Sequence, residues 1–130
     1  MADVTGTSTT PLRMVIVGAG RMGGAVLQGA LGAGVLAADE VGIFHPNTRR
    51  LAELAERYGV HGVSDAELHS AERVLLAVKP QTFPSVAPLV AGRHSLFISL
   101  MAGVSAENIS RRVGSSRVIR AMPNLGAALG

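Results

Sequence analysis

The stretch Val15-Ile16-Val17-Gly18-Ala19-Gly20-Arg21-Met22-Gly23-Gly24 decides the fold of this chain, because an apolar run ends there in a glycine turn that opens into a helical pattern. The G-x-G-x-x-G spacing gives each glycine a separate role. Gly18 makes the tight turn, Gly20 lets the backbone approach a pyrophosphate, and Gly23 lets the helix pack closely on its strand. The first N–H groups of the helix are available to an anion. The stretch therefore predicts a dinucleotide-binding strand, turn and helix, provided that the rest of the chain supplies the matching context.

Composition restricts the class of protein. The 130 residues are 48% hydrophobic and 16% charged, which is enough apolar material for the core of one domain. The sequence has no cysteine, which excludes disulfides and thiolate metal sites and fits a cytoplasmic protein. Residues 1–13 are polar and have no apolar signal-peptide core, so we expect a flexible arm there. No apolar run approaches the roughly 20 residues that span a bilayer, so we expect no membrane segment.

The net charge of +3 does not by itself predict nucleic-acid binding. Basic residues are scattered apart from the pairs Arg49-Arg50 and Arg111-Arg112, and the 3% aromatic content leaves few rings to stack on bases. A modest positive balance suits a polyanionic cofactor instead. We therefore expect no nucleic-acid partner. The four histidines show no metal-ligand spacing, so we also expect no metal site.

Strand patterns and helix patterns alternate along the chain. Short apolar runs predict strands at 14–17, 41–44, 60–63, 73–78, 95–100 and 117–120. Apolar periodicity predicts helices at 21–31, 49–58, 82–90 and 105–112, with Asn47 or Thr48 as the cap of the second and with the later part of the third interrupted at Pro88. The stretch Ser64-Asp65-Ala66-Glu67 has the Ser-x-x-Glu form of a capping box and predicts a further, brief helix. This alternation indicates an α/β fold with a doubly wound, parallel, Rossmann-like sheet. We assign residues 14–122 to a dinucleotide-binding domain and residues 123–130 to a crossover toward a further domain.

Ligands of such a sheet bind beyond the carboxyl ends of its strands, so the candidate site residues are those that follow the apolar runs. They are Gly18, Ala19, Gly20, Arg21, Met22, Gly23, His45, Asn47, Thr48, Arg49, Ser64, Val78, Lys79, Pro80, Ala102, Gly103 and Asn124. Ordinary strand-to-helix turns also use Gly, Pro, Asn and Ser, so each position alone is compatible with a turn that binds nothing. Their joint placement at successive strand ends favours a cofactor site.

The residues after Phe44 bear on the choice of dinucleotide. An NAD site usually places Asp or Glu at the end of the second strand, whereas a 2′-phosphate is better met by Arg and small polar groups. No acid stands directly after Phe44; the residues there are His45, Asn47, Thr48, Arg49 and Arg50. The planar fork of arginine matches phosphate, so we predict NADP(H) in preference to NAD(H). The alternative is that Arg49 and Arg50 lie on the solvated face of their helix.

Lys79 and Asn124 are the candidate catalytic residues, because each follows a predicted strand at the edge of the sheet where ligands bind. A lysine at a buried strand end can donate a proton. It can also interact with the cofactor through its charge alone, or extend to solvent. The sequence leaves these alternatives open.

Further motifs follow the later strands. In order, the chain carries Val17-Gly18-Ala19-Gly20-Arg21-Met22-Gly23, Leu76-Ala77-Val78-Lys79-Pro80-Gln81, Ser99-Leu100-Met101-Ala102-Gly103-Val104 and Val118-Ile119-Arg120-Ala121-Met122-Pro123-Asn124. Many dehydrogenases share the first motif, but the combination in this order is specific. Over residues 14–122, the sequence resembles the amino-terminal domain of the pyrroline-5-carboxylate reductase family.

The resemblance implies an NADPH-dependent oxidoreductase of proline biosynthesis that transfers hydride to the cyclic imine 1-pyrroline-5-carboxylate and forms L-proline. It also implies that residues 18–22 hold the pyrophosphate and that residues 45–49 meet the adenosine ribose and its phosphate. On the nicotinamide side, the residues that it places along the cleft are Ala77, Val78, Lys79, Ala102 and Gly103.

Two departures from the family pattern accompany the resemblance. Asn124 is followed by Leu125-Gly126-Ala127 where family members usually have Thr-Pro-Ala, and the sequence ends at Gly130 where the family continues into a helical domain. We therefore expect a cofactor-binding half that has little or no activity alone and that forms a homo-oligomer only with that second domain. Two alternatives stay open. One is a stand-alone NADP-binding or regulatory module, and the other is a related β-hydroxyacid-type dehydrogenase.

Overall fold

The computed structural model describes residues 12–91 and 95–122, which contain a single six-stranded sheet. Its strands are β1 (Met14–Val17), β2 (Val41–Phe44), β3 (His61–Gly62), β4 (Arg73–Leu76), β5 (Leu96–Ser99) and β6 (Val118–Arg120). The helices are α1 (Arg21–Gly32), α2 (Thr48–Tyr58), α3 (Asp65–Ser70), α4 (Phe83–Val90) and α5 (Ala106–Val113), with 3₁₀ turns at Ala38–Glu40 and Pro80–Thr82. All neighbouring strands are parallel, in the order β3-β2-β1-β4-β5-β6.

Helices cover both faces of the sheet. Because side chains alternate along a strand, Val17 and Ile16 of β1 enter different cores, and each is 1% exposed. The Val17 core is closed by residues of α3, α4 and α5, such as Val90. The Ile16 core is closed by α1 and α2, through Leu27 and Leu54. This arrangement confirms the predicted doubly wound parallel sheet, and the strand order makes β1, between β2 and β4, the point where the winding reverses.

Local side chains and glycines set the helix ends. Asn47 caps α2, because its Oδ1 accepts the N–H of Arg50 at 3.1 Å. Ser105 caps α5 in the same way. Gly59 ends α2 in the left-handed conformation at φ +76°. These ends were predictable because each depends on residues within one turn of the helix.

The predicted Ser-x-x-Glu capping box starts α3. Ser64 Oγ accepts the N–H of Glu67 at 3.2 Å, and Glu67 Oε1 accepts the N–H of Ser64 at 3.0 Å. Glu67 Oε2 also lies 3.0 Å from His61 Nε2. Partial burial raises the pKa of Glu67, but the hydrogen bonds from Ser64 and His61 outweigh that effect and hold the pKa below its ordinary value.

Several elements differ from their predicted lengths. β3 contains two residues rather than the predicted four. β4 ends at Leu76 rather than at residue 78, because the chain bends there toward the 3₁₀ turn that begins at Pro80. α4 continues through Pro88 to Val90. The proline removes one N–H from the last turn, while the neighbouring Ala87 and Val90 are buried and hold the helix end in the core. The described residues do not include the predicted crossover at 123–130. Of the predicted arm at 1–13, they include only residues 12 and 13.

Among the helices of the described ranges, none combines the length and the hydropathy needed to cross a membrane.

Candidate functional site

A cavity of about 630 Å³ opens at the carboxyl ends of β1, β2 and β4. Its walls are the turns that follow these three strands and one face of α4. The predicted residues that line it are Gly18, Ala19, Gly20, His45, Ala77, Val78 and Lys79. In an open α/β sheet this crevice beside the winding reversal is the usual position of a ligand.

The glycine turn is shaped by close contacts on one side and open space on the other. Gly18 has φ +93°, and a Cβ on it would lie 2.9 Å from the Ala77 carbonyl oxygen. A Cβ on Gly23 would collide with the Gly18 carbonyl oxygen, so the absence of a side chain lets α1 approach the turn. At Gly20 no atom lies within 4 Å of the Cβ position. A ligand can therefore approach the backbone at Gly20.

The start of α1 has free donors beside this space. Gly20 is the N-cap residue, no side chain caps the helix, and its first turn contains no acidic residue. The first N–H groups of a helix have no partner within the helix and carry a partial positive charge. Together with the open position at Gly20, this terminus fits a phosphate group.

Two side chains from the segment after β2 hold Ala19, which is 1% exposed. Its N–H donates to His45 Nδ1 at 3.2 Å, and its carbonyl oxygen accepts from Arg50 Nε at 2.8 Å. Burial lowers the pKa of His45, and the nearby Arg50 charge lowers it further. His45 is therefore neutral near pH 7, and because Nδ1 accepts a hydrogen bond, its own proton is on Nε2.

The remaining predicted residues lie around the cavity or away from it. The first turn of α1 contains Arg21, Met22 and Gly23, and the start of α2 contains Asn47, Thr48 and Arg49. Ser64 caps α3, and Pro80 opens a 3₁₀ turn. The turn after β5 contains Ala102 and Gly103. The acceptor oxygens of Asn47 and Ser64 are used in caps. Thr48 and Arg49 are exposed. Asn124 lies outside the described residues.

The cavity also contains residues that the sequence did not single out. They are Phe44, Thr82, Ser85, Val86 and Leu89. The last four recur at the i, i+3, i+4, i+7 spacing of one helix face, so the predicted helix at 82–90 carried the signal. The sequence placed Arg50 beside Arg49 as a residue suited to phosphate, but it did not predict the contact of Arg50 with the glycine turn, because that contact depends on how α2 lies beside α1.

A smaller groove of about 170 Å³ runs between α1 and α2. Arg21, Arg50 and Arg57 are among the residues that line it. Arg50 Nη1 lies 3.5 Å from Glu53 Oε1, and the Arg57 guanidinium lies 5.3 Å from the centre of the Tyr58 ring. The groove therefore places positive charge next to the start of α1, where it would attract an anionic ligand.

Another hollow, of about 510 Å³, lies at the opposite edge of the sheet, near Arg73 and Ser95 at the amino ends of β4 and β5. Ligands of open α/β sheets bind at the other edge, so we assign no site to this hollow. In residues 12–91 and 95–122, no group of three or more histidine or acidic side chains is arranged to hold a metal ion.

Comparison with known proteins assigns the chain to a family. Residues 13–103 match the family described as NADP oxidoreductase coenzyme F420-dependent. The chain belongs to this family of oxidoreductases. It is also 45% identical over 119 residues to a pyrroline-5-carboxylate reductase of Thermus thermophilus, a match that covers 92% of this chain and 46% of that relative.

Solved structures give the same result. A pyrroline-5-carboxylate reductase from Coxiella burnetii is 25% identical with a TM-score of 0.79, covering 92% of this chain and 47% of that one. The Plasmodium falciparum pyrroline carboxylate reductase with NADP bound shares the fold at 20% identity and a TM-score of 0.76, covering 91% and 44%. The resemblance of this chain to the amino-terminal part of pyrroline-5-carboxylate reductases is thus confirmed. The chain spans about half the length of the curated relatives it matches.

Proposed function

We propose that this chain is the NADP-binding half of an enzyme that reduces 1-pyrroline-5-carboxylate to L-proline. One observation carries the cofactor part: the uncapped start of α1 and the open Cβ position of Gly20 adjoin the crevice beside β1. A dinucleotide pyrophosphate matches these free N–H groups. The substrate part is supported by the 45% identity to the T. thermophilus reductase.

The cavity walls suit two parts of a nicotinamide dinucleotide, its central pyrophosphate and its nicotinamide ring. Near the start of α1, the N–H groups of Arg21 and Met22 would hold the pyrophosphate. Across the cavity, Val78, Val86 and Leu89 form an apolar wall on which a flat nicotinamide ring would lie. When bound, NADPH supplies the hydride that the imine carbon accepts.

The reaction requires few acid or base side chains from the cofactor-binding half. A protonated imine is already electrophilic, so the main task of the chain is to hold the cofactor in reacting geometry and exclude water. Lys79 is exposed and lines the cavity. Its ammonium group would face the anionic substrate and cofactor, either as a proton donor or through its charge alone.

We assign the preference for NADP over NAD to the start of α2. No acidic residue follows β2, and the exposed Arg49 stands in the first turn of α2. The neighbouring Arg50 has its Nε hydrogen-bonded to Ala19, which leaves Arg49 as the freer of the two guanidinium groups for a 2′-phosphate. The arginine-lined groove beside it adds positive potential.

Filling the open position at Gly20 tests the cofactor site. Gly20 has φ −77°, which any residue adopts, and no neighbour lies within 4 Å of its Cβ position. Gly20→Ala should therefore keep the thermal stability of the chain while weakening NADPH binding about tenfold or more in calorimetric titration. Gly32→Ala is the matched control, because its Cβ position is also open but lies at the far end of α1. Unchanged NADPH affinity in Gly20→Ala would refute the assigned pyrophosphate position.

Product analysis separates the candidate functions. Incubation with NADPH and 1-pyrroline-5-carboxylate should yield proline when the chain is joined to the carboxy-terminal half of the T. thermophilus reductase. NADPH binding without proline formation in that fusion would favour a regulatory module. NADP-dependent oxidation of a β-hydroxyacid would favour the dehydrogenase alternative.

A further inference from the structure

We propose that His45 and Arg50 are positioning residues: they fix the two peptide groups of Ala19, so that the segment after β2 controls how the glycine turn presents its N–H groups to a pyrophosphate. Only the identity of the dinucleotide rests on the proposed function. The positioning itself rests on the contacts of these three residues.

Ala19 needs partners that its own segment cannot supply. It follows β1 and precedes α1, so its peptide groups lie outside both the strand and the helix. Leaving one buried polar group without a partner costs roughly 1–3 kcal/mol. The side chains of His45 and Arg50 satisfy the N–H and the carbonyl oxygen, from 26 and 31 residues away along the chain.

Each contact orients a different peptide plane. The N–H of Ala19 belongs to the peptide that joins it to Gly18, and its carbonyl belongs to the peptide that joins it to Gly20. In a trans peptide the N–H points opposite to the carbonyl. Because the carbonyl of Ala19 points toward Arg50, the N–H of Gly20 points away from Arg50. The direction of this donor, next to the start of α1, is thus set by the arginine.

Arg50 is itself held for this role. Its backbone N–H donates to Asn47 Oδ1 at 3.1 Å, and its Nη1 lies 3.5 Å from Glu53 Oε1. On α1, a Cβ at Gly24 would lie 3.1 Å from Arg50 Nη2. The helix therefore carries no side chain where the guanidinium group crosses it.

Two nucleotide fragments distinguish positioning of the glycine turn from binding of the 2′-phosphate. ADP contains a pyrophosphate and no 2′-phosphate, whereas 2′-AMP contains a 2′-phosphate and no pyrophosphate. In calorimetric titrations, His45→Phe and Arg50→Ala should each weaken ADP binding about tenfold and change 2′-AMP binding less than about twofold. His45→Asn should restore ADP binding, since its Oδ1 replaces the Nδ1 acceptor. Arg111→Ala, an exposed arginine on α5, is the charge-matched control.

The same variants can overturn the proposal. Unchanged ADP affinity, or an equal loss for 2′-AMP in Arg50→Ala, would show that these side chains do not orient the turn. Should Arg50→Ala fail to fold, Arg50→Met retains the aliphatic part of the side chain but has no donor for the Ala19 carbonyl oxygen; it should weaken ADP binding about tenfold, and an unchanged affinity would again contradict the proposal.

Amide hydrogen exchange makes the test independent of any nucleotide. The Ala19 amide should exchange about tenfold or more faster in His45→Phe than in the parent chain, and protection should return in His45→Asn. If the parent chain binds no adenine nucleotide, the proposed function fails, while this exchange measurement still decides the positioning role. Equal exchange in all three proteins would refute it.

Discussion

A Cβ placed on Gly18 would lie 2.9 Å from the carbonyl oxygen of Ala77, so the turn after β1 and the turn after β4 touch through their backbones. The N–H of Ala77 also donates to the carbonyl oxygen of Val17 at 2.8 Å. These contacts bring the glycine turn and the Ala77-Val78-Lys79 segment to one wall of the cavity. The distance between the proposed pyrophosphate and nicotinamide positions therefore depends on these backbone contacts.

Replacing Gly18 should destabilise the chain more than an equivalent change elsewhere. Gly34 also has a positive φ, of +73°, but no atom lies within 4 Å of its Cβ position. Gly34→Ala should cost about 1–2 kcal/mol from backbone strain alone. Gly18→Ala should cost roughly 1–3 kcal/mol more, because its Cβ meets Ala77. Urea unfolding of both variants measures the difference, and equal costs would show that the turn relaxes away from Ala77.

Removing Arg49 should reduce the preference for NADPH. If the exposed guanidinium group meets the 2′-phosphate, Arg49→Ala should weaken NADPH binding about tenfold and leave NADH binding within about twofold. Arg111→Ala controls for the loss of one positive charge. Equal affinity of the parent chain for the two cofactors would contradict the assignment of the 2′-phosphate to the start of α2.

Stability should fall on acidification through His45. Its pKa in the folded chain lies below the ordinary value, so the unfolded chain binds the proton first as the pH falls. Burial of the ring and the charge of Arg50 are what disfavour its protonated form in the folded chain. The stability contributed by neutral His45 is therefore complete above about pH 6.5 and is lost as the pH falls through the folded-state pKa.

The slope of unfolding free energy against pH measures this contribution. From about pH 7.5 to about pH 5, the parent chain should lose stability more steeply than His45→Asn, which has no titrating ring at this position. The exposed His69 provides the control, and His69→Asn should keep the slope of the parent chain. Parallel curves for the parent and His45→Asn would contradict this prediction.

The cap of α3 should be both stabilising and pH-dependent. Ser64→Ala removes the cap and should cost about 1 kcal/mol. Because the pKa of Glu67 lies below its ordinary value, its contribution is present above the ordinary pKa of a glutamate and is lost as the pH falls through the folded-state pKa. Acidification below about pH 5 should therefore shrink the difference between the parent chain and Ser64→Ala.

A second serine cap gives the comparison. Ser105 caps α5 through Asn108, which has no carboxylate, so Ser105→Ala should have a similar cost without that pH dependence. Thermal unfolding at two pH values distinguishes the two caps. Loss of NADPH affinity in Ser64→Ala would show that Ser64 also meets the cofactor.

Local sequence was sufficient for much of the fold. The glycine turn, the Asn47 cap and the Ser64-Glu67 capping box each depend on residues within a few positions, so their pattern predicted their structure. The apolar runs predicted the strand cores for the same reason, since a strand buried on both faces needs apolar residues at consecutive positions. The exact ends of β3 and β4 were not predictable, because strand ends depend on pairing with a neighbour.

The sequence by itself determined a parallel α/β sheet with a dinucleotide-type turn after its first strand. Only the tertiary structure decided which arginine reaches that turn. Adjacent residues on a helix point about 100° apart, so the sequence places Arg49 and Arg50 in different directions without saying which faces Ala19. The packing of α2 beside α1, with the space left at Gly24, directs Arg50 to the Ala19 carbonyl and leaves Arg49 exposed.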